Sequence, residues 1–299
     1  MKATDALLAD CLGTNCRVAV SVRLPSAVVR SAAYTHLVDT YVDVVRYREL
    51  FGSLFRRDFR ARYKGSLLGV AWSLANPLIL LGVYLLVFSV LWQVSNGIDH
   101  YPLYLLSGLA VWVFFATSLQ QASRSMVDYS ELIRKVRFPR QLVAFSTVAT
   151  QLVAFAAMLG VLFVIDLIAL PRTRGVIWLA IPLAALIVCM VAGLALAIAS
   201  ANVVFRDVEH IVSAALLPWF FLTPVLWTFD QFDSHPTLKE FLRWANPITP
   251  PIEAMRGPLY AGTLPHWTDV LYTIGVTIGA LALGAWIFAS VDDRIAVEL

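Results

Sequence analysis

The residues best placed to do chemistry in this chain are cations. Arg46, Arg48, Arg56, Arg57, Arg60, Arg62 and Lys64 crowd one short stretch, RYRELFGSLFRRDFRARYK. The chemistry they offer is electrostatic: they hold an anionic surface rather than break a bond. Tyr47, Leu50, Phe51, Leu54, Phe55, Phe59 and Tyr63 recur between them at steps of three or four, which lines the apolar residues along one helix face. A basic amphipathic helix with aromatics on its apolar side lies in a membrane interface.

Signals for bond-breaking chemistry are missing. There is no HExxH and no GxSxG, and His36, His100, His210, His235 and His266 are scattered. Asp230, Asp233, Glu240 and Glu253 could serve a glycosyl- or acyltransferase, but loop carboxylates are ordinarily solvated. Cys11, Cys16 and Cys189 form neither a metal set nor a disulfide framework, and Cys189 reads as a small packing residue. No catalytic, cofactor or metal residue is expected. A phosphate-binding P-loop needs Gly before Lys, and none of Lys2, Lys64, Lys135 or Lys239 follows a glycine. If the chain's work is driven by ATP, a separate subunit must bind the nucleotide and its magnesium.

The elements that position these cations are membrane helices. The chain is 59% hydrophobic and only 14% charged, with mean hydropathy +0.74, whereas a soluble domain carries about a quarter charged residues. The net charge of +3 is too small to be a nucleic-acid signal. Segments of about 20 apolar residues qualify as spans, and they fall at residues 67–92, 101–123, 141–168, 176–204, 211–229 and 270–291. The fifth holds Pro218 and Pro224 and should bend or break. The expected fold is all-α: a polytopic membrane protein with six spans, an interfacial helix over 46–64, and short external helices within 230–267. Residues 1–45 read as a poorly ordered extension, and 65–299 as the six-span membrane domain.

Arg and Lys set the orientation. They concentrate before the first span and between the second and third (Arg124, Arg134, Lys135, Arg137, Arg140), while the loop between the first two spans has none. Both termini are therefore expected in the cytoplasm. Asp166 is the only acidic residue within a span, which disfavours an ion-coupled pump. Preference for Arg over Lys, with richness in Ala, Val and Leu, points to a GC-rich bacterial genome.

Five motifs recur in a telling order: RYKGSLLGVAWSLANPL at the basic helix, LIRKVRFPRQL, NVVFRDVEHIV, TPVLW and NPITPPIEAMRGPLYAG. Over residues 40–295 the chain resembles the permease subunit of type-2 ATP-binding-cassette (ABC) exporters, in the branch that moves lipid-linked polysaccharides: O-antigen, capsule, teichoic acid or cell-wall galactan. The resemblance implies a homodimer with a channel at its interface, two separate ATPase subunits, a lipid-linked polysaccharide as cargo, and contact with membrane lipids. It implies that the loop 129–140 (Tyr129, Leu132, Ile133, Arg134, Lys135, Val136, Arg137) is a coupling helix seated in an ATPase groove; the plainer reading is a basic loop that only sets orientation. It implies that Arg48, Phe51, Phe55, Arg56, Arg57, Arg60 and Lys64 form a helix that contacts both lipid and ATPase.

Trp112, Phe114 and Phe115 in the second span, and Trp219, Phe220 and Phe221 in the fifth, lie deeper than interfacial belts require. Sugar rings stack their C–H faces on such rings, so Trp112, Phe115, Trp219, Phe220, Thr223 and Trp227 are candidate channel-lining residues. Ordinary helix packing is the alternative. Outside, Phe241 and Trp244 fall on one short amphipathic helix; Ile252, Met255 and Tyr260 fall on another started by Pro250-Pro251. They would either fold back as an external gate or lie flat on the surface. Two other functions stay open: a drug or lipid exporter permease of the same superfamily, and, in a different class, an integral-membrane glycan-modifying enzyme.

Overall fold

A computed structural model describes residues 40–66, 69, 71–87, 100–135, 138–169, 171–229 and 235–298. The elements are helical throughout these residues. They are α1 (Arg48–Tyr63), α2 (Ala71–Tyr84), α3 (Tyr101–Asp128), α4 (Ser130–Lys135), α5 (Gln141–Ala169), α6 (Ala180–Val204), α7 (Asp207–Leu222), α8 (Pro236–Trp244), α9 (Thr249–Arg256) and α10 (Trp267–Glu298). The protein is an all-α polytopic membrane protein. Four helical segments are long and apolar enough to cross a bilayer: Tyr101–Asp128, Gln141–Ile168, Ile177–Val204 and Trp267–Asp292.

Within the protomer α3 is the axis. Of its apolar window 78% is buried, against 28% for α10, so α3 is wrapped by the other helices while α10 keeps a broad outward face. Helix α10 lies along α6 at a seam of small residues: a Cβ on Gly284 would stand 2.3 Å from the carbonyl oxygen of Gly193. Only residues without side chains let two backbones approach this closely. Cys189 points to the exposed side of α6 instead of the packing site expected for it.

Of three local outcomes, two differ from the sequence expectation and one, the break in the fifth apolar segment, meets it. Residues 40–46 form a helix leading to α1, although the sequence assigns 40–45 to the loose extension. It is anchored because Tyr41 donates its hydroxyl to the Leu281 carbonyl (2.7 Å) and Gln141 donates to Asp43 (2.8 Å). Helix α7 starts at Asp207 and ends at Leu222, short of the apolar run's end at residue 229. The cause is local: Thr223 precedes Pro224, which forces it into extended backbone (φ −95°, ψ 135°), and proline offers no N–H to continue the ladder. Finally, the two external helices differ from each other. Helix α8 leaves Phe241 and Leu238 exposed, whereas α9 is buried among α3, α6 and α10.

Candidate coupling and translocation site

At the end of the bundle where α3 stops and α5 begins, the cations gather. Helix α1 separates its faces as its spacing dictates: Arg48, Arg56, Arg57, Arg60 and Lys64 are exposed, while Phe51 and Phe55 are half-buried and Leu54 is buried. Its apolar face does not meet lipid alone. Leu54 joins Met126, Tyr129, Ile133, Leu142 and Phe145 in a compact apolar cluster, so α1 is packed onto α4 and α5. Phe55 stacks on Phe59 and Phe59 meets Tyr63 edge-on along the helix, with ring centroids 5.7 and 5.1 Å apart.

Polar groups lock α1 to the end of α3 and to α5. Tyr129 donates its hydroxyl to Asp58, Ser146 donates to the other Asp58 oxygen (3.1 Å), and the Arg57 guanidinium lies 4.7 Å over the Tyr129 ring. Burial raises the Asp58 carboxyl above its ordinary value; the Ser146 hydrogen bond and the charges of Arg57 and Arg62 oppose that rise. Helix α4 itself is a single short turn and a half. Ile133 and Tyr129 face inward, Leu132 is half-buried, and Arg134 and Lys135 are exposed, with Lys135 paired to Glu131 at 2.9 Å. The apolar face expected to dock elsewhere is thus partly used by the protomer's own core, and the surface α4 offers outward is charged. Val136 and Arg137 lie outside the described residues. Arg124–Glu209 (2.7 Å) and Arg140–Asp292 (2.7 Å) tie α7 and α10 to the same end.

The deep aromatics come together around α3 and α7. Trp112 meets Phe115, Trp219 and Phe220 at centroid distances of 5.6, 6.4 and 5.5 Å, and Phe115 meets Trp219 edge-on at 5.2 Å. Trp112, Phe115, Phe220 and Thr223 are buried within the protomer; Trp219 and Trp227 are half-exposed. Phe221 and Leu217, on the other side of α7, are exposed. Trp227 stands apart from this cluster, its indole N–H donating to the Phe221 carbonyl (3.0 Å) and its ring against Phe229.

Beyond Leu222 the chain runs unwound through TPVLW, a stretch whose carbonyls have no helical partner. Irregular backbone at membrane depth is tolerated only where protein satisfies it. Here Arg256 donates to the Val225 carbonyl (3.2 Å), Tyr101 to Leu226 (3.0 Å) and Tyr104 to Trp227 (2.8 Å). Arg256 also pairs with Glu253 (2.6 Å) and lies 3.7 Å over the Tyr104 ring. Gly108 makes room for it, since a Cβ there would stand 2.7 Å from an Arg256 nitrogen. One level deeper, Asn246 bridges α7 to the returning chain. It accepts from the Trp219 indole (2.9 Å) and the Ile248 amide (3.3 Å), and donates to the Thr223 hydroxyl (2.9 Å), which donates to the Trp219 carbonyl (2.8 Å).

Of the residues named for the external segment, Ile252 and Met255 are fully buried, Tyr260 packs edge-on to Tyr104 at 5.4 Å, and Phe241 is exposed. Trp244 donates to Glu240 (2.7 Å) and stacks beside Tyr272. Arg243 pairs with Asp269 (3.0 Å), fixing α8 to the start of α10. Sequence reading missed Arg256, Asn246, Tyr101 and Tyr104 as structural centres. The available signal was Arg256 itself, a cation between apolar residues, which at such depth must be partnered.

Comparison with known proteins agrees with this architecture. The family model for ABC-2 type transporters matches residues 49–260, from the start of α1 to the end of the buried return. The chain is 30% identical over 259 residues, 86% of its own length and 98% of the relative's, to the O-antigen export system permease protein RfbA of Myxococcus xanthus. It is 30% identical over 238 residues, 79% of its length and 90% of the relative's, to a protein of the same name from Klebsiella pneumoniae. With the family's pattern running through most of its length, this chain belongs to the ABC-2 type transporter family.

Proposed function

We propose that this protein is the permease subunit of an ATP-driven exporter that carries a lipid-linked polysaccharide across the bacterial cytoplasmic membrane. The observation that carries this reading is the near end-to-end likeness to relatives named as O-antigen export permeases. Two copies form the channel, and the exposed apolar side of α7, with Leu217 and Phe221, is the face offered to the second copy. Trp219 and Trp227, half-exposed beside that face, meet the sugar chain; the buried Trp112, Phe115 and Phe220 hold them in place. The α8–α9 return forms the external gate.

The basic end lies in the cytoplasm, in keeping with the bias of Arg and Lys. There, Arg134 and Lys135 on α4 dock a separate ATPase subunit, and the Tyr129–Asp58 contact passes its motion to α1. The chain supplies no Gly-Lys pair, so ATP and magnesium belong to that partner. The test is genetic and biochemical. Cells lacking this chain should accumulate the lipid-linked glycan on the cytoplasmic side, and the wild-type gene should restore surface display. Normal surface glycan in the deletion strain would refute the reading.

A further inference from the structure

The junction of α1 with α3 and α5 contains a cleft of about 380 Å³ that none of the roles above uses. Its polar lining is Arg62, Gln121 and Gln151 with the hydroxyl-bearing Tyr63, Ser66 and Thr117; its apolar wall includes Trp72 of α2, Val113, Phe155 and Met158. Among the described residues lining it, Arg62 is the one charged side chain.

Arg62 differs from its neighbours on α1. Arg56, Arg57 and Arg60 are exposed, whereas Arg62 is half-buried and turned toward the bundle. Its Nη1 donates to Gln151 Oε1 (2.9 Å) and its Nη2 to Gln121 Oε1. Both acceptors are neutral, so its charge is not cancelled by a carboxylate in direct contact. Asp58, one turn earlier, senses that charge, but its oxygens accept from Tyr129 and Ser146. A guanidinium carries five N–H donors, of which these contacts use two. Because Gln151 turns its oxygen to Arg62, its Nε2 is a buried donor without a partner among the described residues.

An uncancelled fork of donors and a spare buried amide call for an anion with several oxygens. The wall beyond them, running two turns along α5 from Gln151 to Met158, calls for an apolar chain. We propose that this cleft seats the phosphate head of one lipid per protomer, with the lipid's chain laid along the α5 wall. A phosphorylated isoprenoid and a bilayer glycerophospholipid share this chemistry. If the occupant is the isoprenoid, its role as cargo carrier rests on the export reading; the binding itself does not.

The experiment is native mass spectrometry of the full-length chain in detergent, titrated separately with polyisoprenyl phosphate, phosphatidylglycerol, polyisoprenol, oleate and inorganic phosphate. One equivalent of a phosphorylated lipid should bind per chain, while polyisoprenol, oleate and inorganic phosphate should not. Arg62→Gln should weaken binding roughly tenfold or more by removing a charge-assisted fork. Gln151→Glu should do the same while leaving the fold intact, because its new carboxylate pairs with Arg62 in place of the ligand. Tighter retention of polyisoprenyl phosphate identifies the carrier lipid as occupant; tighter retention of phosphatidylglycerol identifies a bilayer lipid. Equal binding of polyisoprenol, or unchanged binding in both variants, would overturn the proposal. Neither result depends on transport, so failure here is separable from failure of the export reading.

Discussion

At the α8–α9 end, Tyr101, Tyr104 and Arg256 spend their donors on three consecutive backbone carbonyls of one unwound stretch. At the basic end, Arg62 spends its donors on neutral amides, and Arg56, Arg57, Arg60, Arg134 and Lys135 remain exposed. The first arrangement turns inward: both Nη nitrogens of Arg256 and both tyrosine hydroxyls bond to groups of the same protomer. The second leaves charge available, which is what an end that must meet lipid and a partner subunit requires. Both ends hold arginines, but burial decides what each does. Arg256 is a structural tie, and Arg48, Arg56, Arg57 and Arg60 of α1 are exposed charge, which the proposed function uses as a binding surface.

The comparison predicts unequal responses to substitution. The largest should come from Arg256→Met, which strands Glu253, the Val225 carbonyl and the Tyr104 ring. Losing one member of a buried pair typically costs about 3 kcal/mol, so the detergent-solubilised protein should melt markedly lower. Gly108→Val should reproduce that loss with Arg256 still present, because the added methyls occupy its position. Next, Asn246→Leu leaves the Trp219 indole and the Ile248 amide without their acceptor, an effect of about 2 kcal/mol by the usual penalty for stranded donors. Asn246 and Arg256 act on one stretch of chain, so a double-mutant cycle should show coupling between them.

Smaller effects are expected at the basic end. Tyr129→Phe removes the hydroxyl given to Asp58 and should cost about 1 kcal/mol, adding independently to Asn246→Leu. Asp58 also predicts a pH dependence. Its carboxyl is raised in the folded protein, so the folded state binds the proton more readily than the unfolded one. Stability should therefore fall as pH rises from the ordinary value of 3.8 through the raised one, and Asp58→Asn should flatten that slope in thermal melts taken across pH. The double substitution Arg134→Glu with Lys135→Glu should leave the melting temperature unchanged yet abolish co-purification of the ATPase. Retained co-purification would sharpen the comparison by moving the docking surface off α4.

Much of this was legible in the chain. The segregated faces of α1 follow from its 3.6-residue spacing, and the break after Leu222 follows from Thr223-Pro224. Four spans fall where apolar length places them. What could not be read were the long-range ties. In the sequence Asn246-Pro247 marks only a break between two short helices; that Asn246 also bridges Trp219 and Thr223 depends on α7 ending where it does. Periodicity tells which face of a helix is apolar, not which helix it meets, so Ile133 was assigned outward when it packs with Leu54. Arg62 shows the same limit: three residues after Phe59 and seven after Phe55 it falls on the apolar face of α1, but only the folded structure shows that Gln121 of α3 and Gln151 of α5 meet it there.

The central claim is that this chain moves a lipid-linked glycan only when another subunit supplies ATP hydrolysis. The direct measurement is reconstitution of the purified chain in proteoliposomes containing a lipid-linked glycan, with and without its ATPase, followed by glycan accessibility across the membrane. The account predicts translocation that requires both subunits and ATP, with no chemical change in the glycan. Chemical modification of the glycan by this chain alone, or translocation without the ATPase, would contradict it.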